Sequence, residues 1–190
     1  MEELLRFLNL LHPMSAELQV FLIQIFQKEI HRSNKTLLEK EEICDWICFV
    51  EKGLLKAYLE MEDGSEKVIW YRKSGEVASS VSSFYKNQPS KLIIRTMEET
   101  HIRRIRKPVL QSLFDRFPEF NINARLITEA CCIYHEDRCI LNSLPLKDRY
   151  RTLHNNSSWL LIDERIKDFM LASYLNIDRA TYSRFKGKKY

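Results

Sequence analysis

The stretch that decides the fold is residues 171–184, LASYLNIDRATYSR. It reads as two short helices joined by a tight turn, because Asn176 tolerates the left-handed conformation that ends a helix. Asp178 follows closely and can cap the next helix with a side-chain oxygen. Ile177, the apolar residue between them, can fill the gap where the two helices cross. Together these features predict a helix-turn-helix over roughly residues 168–186.

The second predicted helix is rich in basic and polar side chains. Arginine can donate two hydrogen bonds to guanine in the DNA major groove, whereas lysine and serine contact phosphate. We therefore expect Arg179 to read a base, and Ala180 and Phe185 to face inward. The predicted DNA-contacting residues are Arg179, Thr181, Tyr182, Ser183, Arg184, Lys186, Lys188 and Lys189.

The positive charge of the chain is concentrated in its C-terminal quarter. Residues 144–190 hold ten Lys or Arg against five Asp or Glu, a net charge of +5, whereas residues 1–143 carry −1. A basic segment attached to a neutral one suggests an anionic partner, most simply nucleic acid. The alternative is a basic tail that only improves solubility.

The region before this segment has the pattern of a β-rich domain. From about residue 33 to 106, short β-prone runs alternate with turns, and Asp63-Gly64 favours a hairpin. This spacing predicts an antiparallel barrel or sandwich. Residues 15–30 are expected to form a helix before it, and Lys107-Pro108 to open a helix after it.

One long helix is predicted over residues 119–142. Its apolar positions fall on two lines, so one side can pack on the β-rich domain and the other on a second copy of the chain. We therefore expect a homodimer, and the alternative is a helix buried within one chain. Pro145 ends the helix, and residues 146–153 are expected to form another short one.

Several classes of function find little support in the sequence. No stretch approaches about 18 consecutive apolar residues, so no membrane span is expected. The N-terminus lacks the pattern of a secretory signal, and the five cysteines include no CxxC pair. We therefore expect a cytoplasmic protein with reduced thiols and no metal. Charged neighbours such as residues 135–137 lack a convergent nucleophile, so no enzyme is expected.

The order of these elements resembles the Crp/Fnr superfamily of bacterial regulators, in particular its short Bacteroidetes-type members. The motifs that carry the resemblance are Phe49-Val50-x-x-Gly53-x-x-x-Ala57-Tyr58, Gly75-Glu76-Val77, Arg95-Thr96 and residues 171–184. The resemblance implies an α+β fold with an antiparallel β-barrel or jelly roll of the cyclic-nucleotide-binding type, a long dimerisation helix and a C-terminal helix-turn-helix. It divides the chain into a sensor domain (1–118), a dimerisation helix (119–143) and a DNA-binding domain (144–190).

The resemblance also implies a cassette for a cyclic nucleotide, here in degenerate form. The Gly-Glu that opens the cassette corresponds to Gly75-Glu76, and the phosphate-clamping Arg-Ser or Arg-Thr corresponds to Ser90-Lys91. Lys91 is a point charge and does not reproduce the two-pronged guanidinium of arginine. We therefore expect neither cyclic AMP nor another cofactor, and the resemblance leaves a different small effector open.

The sequence thus predicts a dimeric transcription regulator that binds double-stranded DNA and pairs with itself through residues 119–143. The resemblance adds RNA polymerase as a further partner and places the protein away from the membrane. The alternative is a ligand-binding or protein-interaction module of the same fold without specific DNA binding. That alternative follows from the absence of a β-wing after the second helix, which limits contacts to the DNA backbone.

Overall fold

The computed structural model describes residues 1–155 and 165–187, which form eight helices and eight strands. The combination is the α+β fold that the sequence predicts. In chain order the elements are α1 (Glu2–Leu11), α2 (Ala16–Ile25), β1 (Gln27–His31), β2 (Thr36–Leu38), β3 (Trp46–Lys52), β4 (Leu54–Glu60), β5 (Glu66–Lys73), β6 (Val77–Ala78), α3 (Val81–Lys86), β7 (Ile93–Thr96), β8 (Thr100–Arg106), α4 (Lys107–Arg116), α5 (Phe120–Ser143), α6 (Leu146–Asn155), α7 (Asp168–Leu175) and α8 (Arg179–Gly187).

Two four-stranded antiparallel sheets form the β-roll. Their strand orders are β1-β8-β3-β6 and β2-β7-β4-β5, so strands far apart in the sequence lie side by side. Apolar side chains from both sheets meet in one buried cluster, which includes Trp46, Val50, Leu55 and Ile94. Sheets packed face to face in this way exclude water from their shared side. The predicted barrel or jelly roll is therefore confirmed.

Gly53 allows the chain to reverse between β3 and β4. Its φ of +106° is rarely adopted by residues with a side chain. A Cβ atom at this position would also lie 2.6 Å from Thr100 Oγ1 and 2.8 Å from the Glu99 carbonyl oxygen. The close approach of β8 to this turn therefore requires glycine.

The prediction of a single helix over residues 15–30 is wrong at its C-terminal end, which forms a strand instead. The helix ends at Ile25, and Gln27–His31 form β1, which pairs with β8 in antiparallel register. The buried stripe of the helix includes Leu18 and Leu22 and does not continue beyond Phe26. Pairing with the open edge of β8 therefore overrides the local helical pattern. Helices α1 and α3 are additional elements that the sequence pattern does not predict.

Helix α5 has 24 residues and matches the predicted long helix within one residue at each end. Its first turns are tied to α1, because the Asn123 side-chain amide donates to the carbonyl oxygens of Leu8 at 2.7 Å and His12 at 3.2 Å. Further along, Ile133 and Ile140 are 60% and 54% exposed. One side of α5 therefore packs on this chain while another carries large apolar side chains into solvent.

Within the described residues, no helix combines the length and the apolar character that a bilayer crossing requires.

Replacing Gly53 by alanine is expected to lower the free energy of unfolding by more than about 3 kcal/mol, because backbone strain adds to the clash with β8. Gly64→Ala is the matched control, since Gly64 also has a positive φ but no atom lies within 4 Å of its added Cβ. The control should cost about 1 kcal/mol. Urea unfolding measures both, and equal losses would contradict the close approach at Gly53.

Candidate nucleic-acid interface and sensor cavity

Helices α7 and α8 lie where the sequence predicts them, and the turn between them has the expected chemistry. Asn176 adopts a left-handed conformation with φ of +55°. Ile177 is buried in the cluster that joins the two helices. Asp178 Oδ1 accepts a hydrogen bond of 2.8 Å from the Thr181 backbone amide, which caps α8. Local side-chain chemistry therefore fixes where α7 ends and where α8 begins.

The exposed face of α8 differs from the predicted one. Tyr182 was expected on the DNA-facing side, but it is 2% exposed and its ring packs edge-on against Tyr150 of α6, with centroids 5.3 Å apart. Thr181 is also buried, whereas Ala180, expected to face inward, is exposed. The large phenol ring fills the space above α6 and so sets the rotation of α8. Phe185 is partly buried against the same cluster.

The exposed cations of α8 are held by residues of α7 and α8. The Arg179 guanidinium lies 4.8 Å from the centre of the Phe169 ring. Lys186 Nζ lies 2.7 Å from Asp168 Oδ2, and this hydrogen bond raises the pKa of the lysine. Arg184 instead donates to Thr181 Oγ1 within α8. Ser183 is exposed on the same helix, while Lys188 and Lys189 lie outside the described residues.

Helix α7 docks directly on strand β5. The Ser173 hydroxyl accepts a hydrogen bond of 3.0 Å from the Val68 amide and donates one of 2.7 Å to the Glu66 carbonyl oxygen. The Tyr71 hydroxyl donates to the Met170 carbonyl oxygen at 3.2 Å. These bonds satisfy strand groups that would otherwise be buried without partners. They therefore join α7 to the β-roll at a defined register.

Tyr174 connects α7 to α5. Its hydroxyl lies 3.0 Å from the Tyr134 hydroxyl, and the Arg138 guanidinium stacks 3.5 Å from the centre of its ring. Arg138 also donates to the Tyr174 carbonyl oxygen at 2.7 Å. Burial raises the pKa of Tyr174, so the phenol stays neutral and acts as a hydrogen-bonding group. The contact thus ties together the long helix and the first helix of the C-terminal pair.

A cavity of about 350 Å³ lies between the β-roll, α1, α3 and α5. Trp70 and Val77 line it from the β-roll, and Phe84 lines it from α3. Tyr134 and His135 contribute from α5. Burial, followed by the charges of two nearby arginines, lowers the pKa of His135, so its imidazole is neutral near pH 7. The cavity has the size and apolar lining of a small-molecule site.

The four predicted ligand residues do not converge on this cavity. Gly75 and Glu76 line it, but Glu76 Oε2 accepts a hydrogen bond from the Lys73 amide in the turn before β6. Ser90 is buried elsewhere, with its hydroxyl 2.9 Å from the Ser80 hydroxyl. Lys91 is exposed at the surface. The loop after α3 therefore directs both residues away from the site that the sequence analysis assigned to them.

The charged side chain that does reach the cavity from β5 is Arg72, which the sequence analysis missed. A basic residue near the end of a strand is usually exposed to solvent, so nothing in the local sequence around Arg72 indicates that it lines a cavity. Its packing against α5 depends on residues about sixty positions later in the chain. The described residues contain no group of three or more His, Cys, Asp or Glu side chains that could hold a metal ion.

Ser173→Ala is expected to leave the Val68 amide without its partner and to cost about 1–3 kcal/mol of stability. Hydrogen exchange at the Val68 amide should accelerate in the full chain. Ser183→Ala is the matched control, because Ser183 is exposed on the next helix. Unchanged protection of Val68 in the Ser173 variant would contradict the docking of α7 on β5.

Comparison with known proteins identifies the β-roll. Residues 28–117 match the family model of the cyclic nucleotide-binding domain. FixK2 from Bradyrhizobium japonicum is similar in structure, with a TM-score of 0.70, 17% identity, and coverage of 86% of this chain and 84% of that chain. No curated protein sequence matches the chain.

Two further solved structures extend the similarity over nearly the whole chain. CLP, a c-di-GMP-responsive global regulator of Xanthomonas campestris, has a TM-score of 0.65 and 20% identity, with coverage of 92% of this chain and 91% of that chain. The catabolite activator protein of Thermus thermophilus has a TM-score of 0.54 and 18% identity, with coverage of 94% and 85%. Residues 28–117 therefore match the cyclic nucleotide-binding domain family, and the chain shares the fold of these three structures, as its resemblance to the Crp/Fnr regulators predicts.

Proposed function

We propose that this chain is a dimeric transcription regulator of the Crp/Fnr type that binds double-stranded DNA. The sensor domain comprises residues 1–118, the dimerisation helix 119–143 and the DNA-binding domain 144–190. The observation that carries the proposal is the division of α8 into two faces. One face anchors the helix in the core through Tyr182, and the other presents Arg179 and its polar neighbours to solvent.

In this proposal α7 and α8 form a helix-turn-helix, and α8 enters the major groove. Arg179 lies in the first turn of α8, where side chains of a recognition helix reach base edges, and it donates two hydrogen bonds to guanine. Ser183, Arg184 and Lys186 contact phosphates. Thr181 and Tyr182 support the helix from its buried side, while Lys188 and Lys189 remain predicted backbone contacts.

A second copy of the chain is the proposed occupant of the exposed face of α5. Ile133 and Ile140 are seven residues apart, which places both on one side of a coiled-coil helix. Ile122 lies eleven residues before Ile133 and is also exposed, so the apolar line extends over most of the helix. In the proposed dimer, the two α8 helices contact half-sites about 34 Å apart, which is one turn of the DNA helix.

A ligand-binding module without specific DNA binding is the second candidate function. The cavity favours it, because a site of that size and lining suits a small molecule. It leaves the exposed basic side of α8 without a role, whereas a DNA-binding regulator uses both features.

Selection of bound DNA from a random pool is expected to yield a palindromic motif. Arg179→Ala should relax the preference at one base of each half-site, because the guanidinium reads that base, at a cost of about 1–3 kcal/mol for the preferred sequence. Lys186→Ala should weaken binding to all sequences alike and reduce the salt dependence. Gel-shift titrations at several salt concentrations measure both effects.

Arg32→Ala is the control for these variants, since Arg32 is an exposed arginine in the β-roll between β1 and β2. It should leave both affinity and sequence preference unchanged. A uniform loss of affinity in the Arg179 variant would contradict its role as a base reader. Equal binding to selected and random DNA by the unaltered protein would overturn the regulator proposal.

Ile133→Glu is expected to convert the dimer to a monomer, because it places two like charges at the centre of an apolar seam. Ile23→Glu is the matched control, since Ile23 is 51% exposed but lies on α2. Sedimentation equilibrium measures the molecular mass of each variant. If Ile133→Glu keeps the mass of the unaltered dimer, α5 is not the dimer interface.

A further inference from the structure

We propose that the cavity binds a small amphipathic organic anion, with Arg72 as its charged anchor and Tyr134 as the link from the bound ligand to α7. The binding site stands on the geometry of the cavity alone. The link to α7 rests on the proposed function, because it gives the bound ligand a regulatory effect.

The lining of the cavity determines the body of the ligand. Its volume of about 350 Å³ falls at the lower end of the roughly 300–1,000 Å³ that small-molecule sites occupy. Trp70, Phe84 and Tyr134 supply aromatic walls, and Ile47 and Ile127 add aliphatic ones. A ligand of one or two rings with few polar atoms buries the most surface against such walls.

Arg72 determines the charge of the ligand. Its Nε donates to the Val77 carbonyl oxygen at 3.1 Å and its Nη1 to the Tyr71 carbonyl oxygen at 3.0 Å. The guanidinium also lies 4.3 Å from the centre of the Tyr134 ring. No carboxylate of the described residues forms an ion pair with Arg72, and its Nη2 has no partner among them. The side chain is therefore held in place, and its Nη2 and its positive charge remain available to a ligand.

A second guanidinium increases the positive charge beside this wall. Arg138 is only 7% exposed, and its Nη1 has no hydrogen-bond partner among the described residues. Arg72 and Arg138 both act on His135, which lines the cavity as a neutral imidazole. Arg138 does not itself line the cavity, whereas Arg72 lines it and is half-buried. An anion placed against Arg72 would supply the carboxylate-type partner that this guanidinium lacks among the described residues. A carboxylate or sulfonate matches the fork of Arg72.

The same geometry disfavours a cyclic nucleotide. Ser90 and Lys91, which correspond to its phosphate clamp, do not line the cavity. The cation that does line the cavity is Arg72, near the end of β5. It comes before α3 in the chain, whereas Ser90 and Lys91 come after α3. A ligand that pairs with Arg72 therefore uses a different anchor from the one that a cyclic phosphate needs.

Tyr134 connects this anchor to the C-terminal helices. Its ring stacks on Arg72, and its hydroxyl lies 3.0 Å from the Tyr174 hydroxyl of α7. An anion that draws the guanidinium toward itself changes the surface on which Tyr134 packs. Any shift of Tyr134 alters its contact with Tyr174, which in turn packs against Arg138. Ligand binding would thus favour one position of α7 over another.

The test compares two probes of nearly equal shape, 1-naphthaleneacetate and its neutral amide, 1-naphthaleneacetamide. Isothermal titration of the full chain without DNA should show the acid binding about tenfold or more tightly than the amide, because only the acid forms a charge-assisted contact. Arg72→Gln should reduce the affinity for the acid to that of the amide. Arg72→Lys should give an intermediate value.

Lys91→Gln is the control and should leave the affinity for the acid unchanged, because Lys91 is exposed outside the cavity. Circular dichroism confirms that each variant is folded. Equal affinity for acid and amide, no binding of either probe, or unchanged affinity after Arg72→Gln would each overturn the site. Tight binding of cyclic AMP that is lost in the Lys91 variant would also overturn it.

The link to α7 is tested separately by hydrogen exchange with and without 1-naphthaleneacetate. The probe should change protection of α7 amides in the unaltered protein. Tyr174→Phe should keep the binding, because Tyr174 does not line the cavity, but it should abolish this change, because it removes the hydroxyl that Tyr134 contacts. Persistence of the change in Tyr174→Phe would overturn the link. Neither measurement uses DNA, so a chain that fails to bind DNA would overturn the proposed function without affecting the site.

Discussion

The packing of Tyr174 between α5 and the β-roll is the contact on which the arrangement of the whole chain depends. Its ring lies against the Arg138 guanidinium on one side and 5.6 Å from the Tyr71 ring centre on another. A cation over an aromatic face contributes about 2 kcal/mol when both are removed from water. Because Tyr174 belongs to α7, this contact and the Ser173 hydrogen bonds determine where α8 stands relative to the sensor.

Features that depend on neighbouring residues could be predicted from the sequence. Asn176 ends α7 and Asp178 caps α8 because their side chains act on backbone groups within three residues. The Asp63-Gly64 hairpin and the length of α5 follow from equally local signals. The rotation of α8 could not be predicted from such local signals, because it is set by the packing of Tyr182 against Tyr150 of another helix.

The groups that line the cavity could not be predicted from the sequence either, because they meet through contacts between residues far apart in the chain. The resemblance placed Ser90 and Lys91 at the ligand because their position along the chain matched, but position in a loop does not determine direction. Arg72 lines the cavity because the Tyr134 ring and the Val77 carbonyl hold its guanidinium there. The pairing of residues 72 and 134 exists only after α5 has folded back on the β-roll. Sequence patterns therefore locate the sensor domain but not its binding groups.

Differential scanning calorimetry of the full chain tests most directly whether the sensor and the C-terminal helices form one packed unit. Burial of Tyr174 between them predicts a single transition with a calorimetric to van't Hoff enthalpy ratio of about one. Tyr174→Ala should divide it into two transitions, because the contact between α7 and α5 is lost. Two separate transitions in the unaltered chain would contradict the view that this contact holds the molecule together.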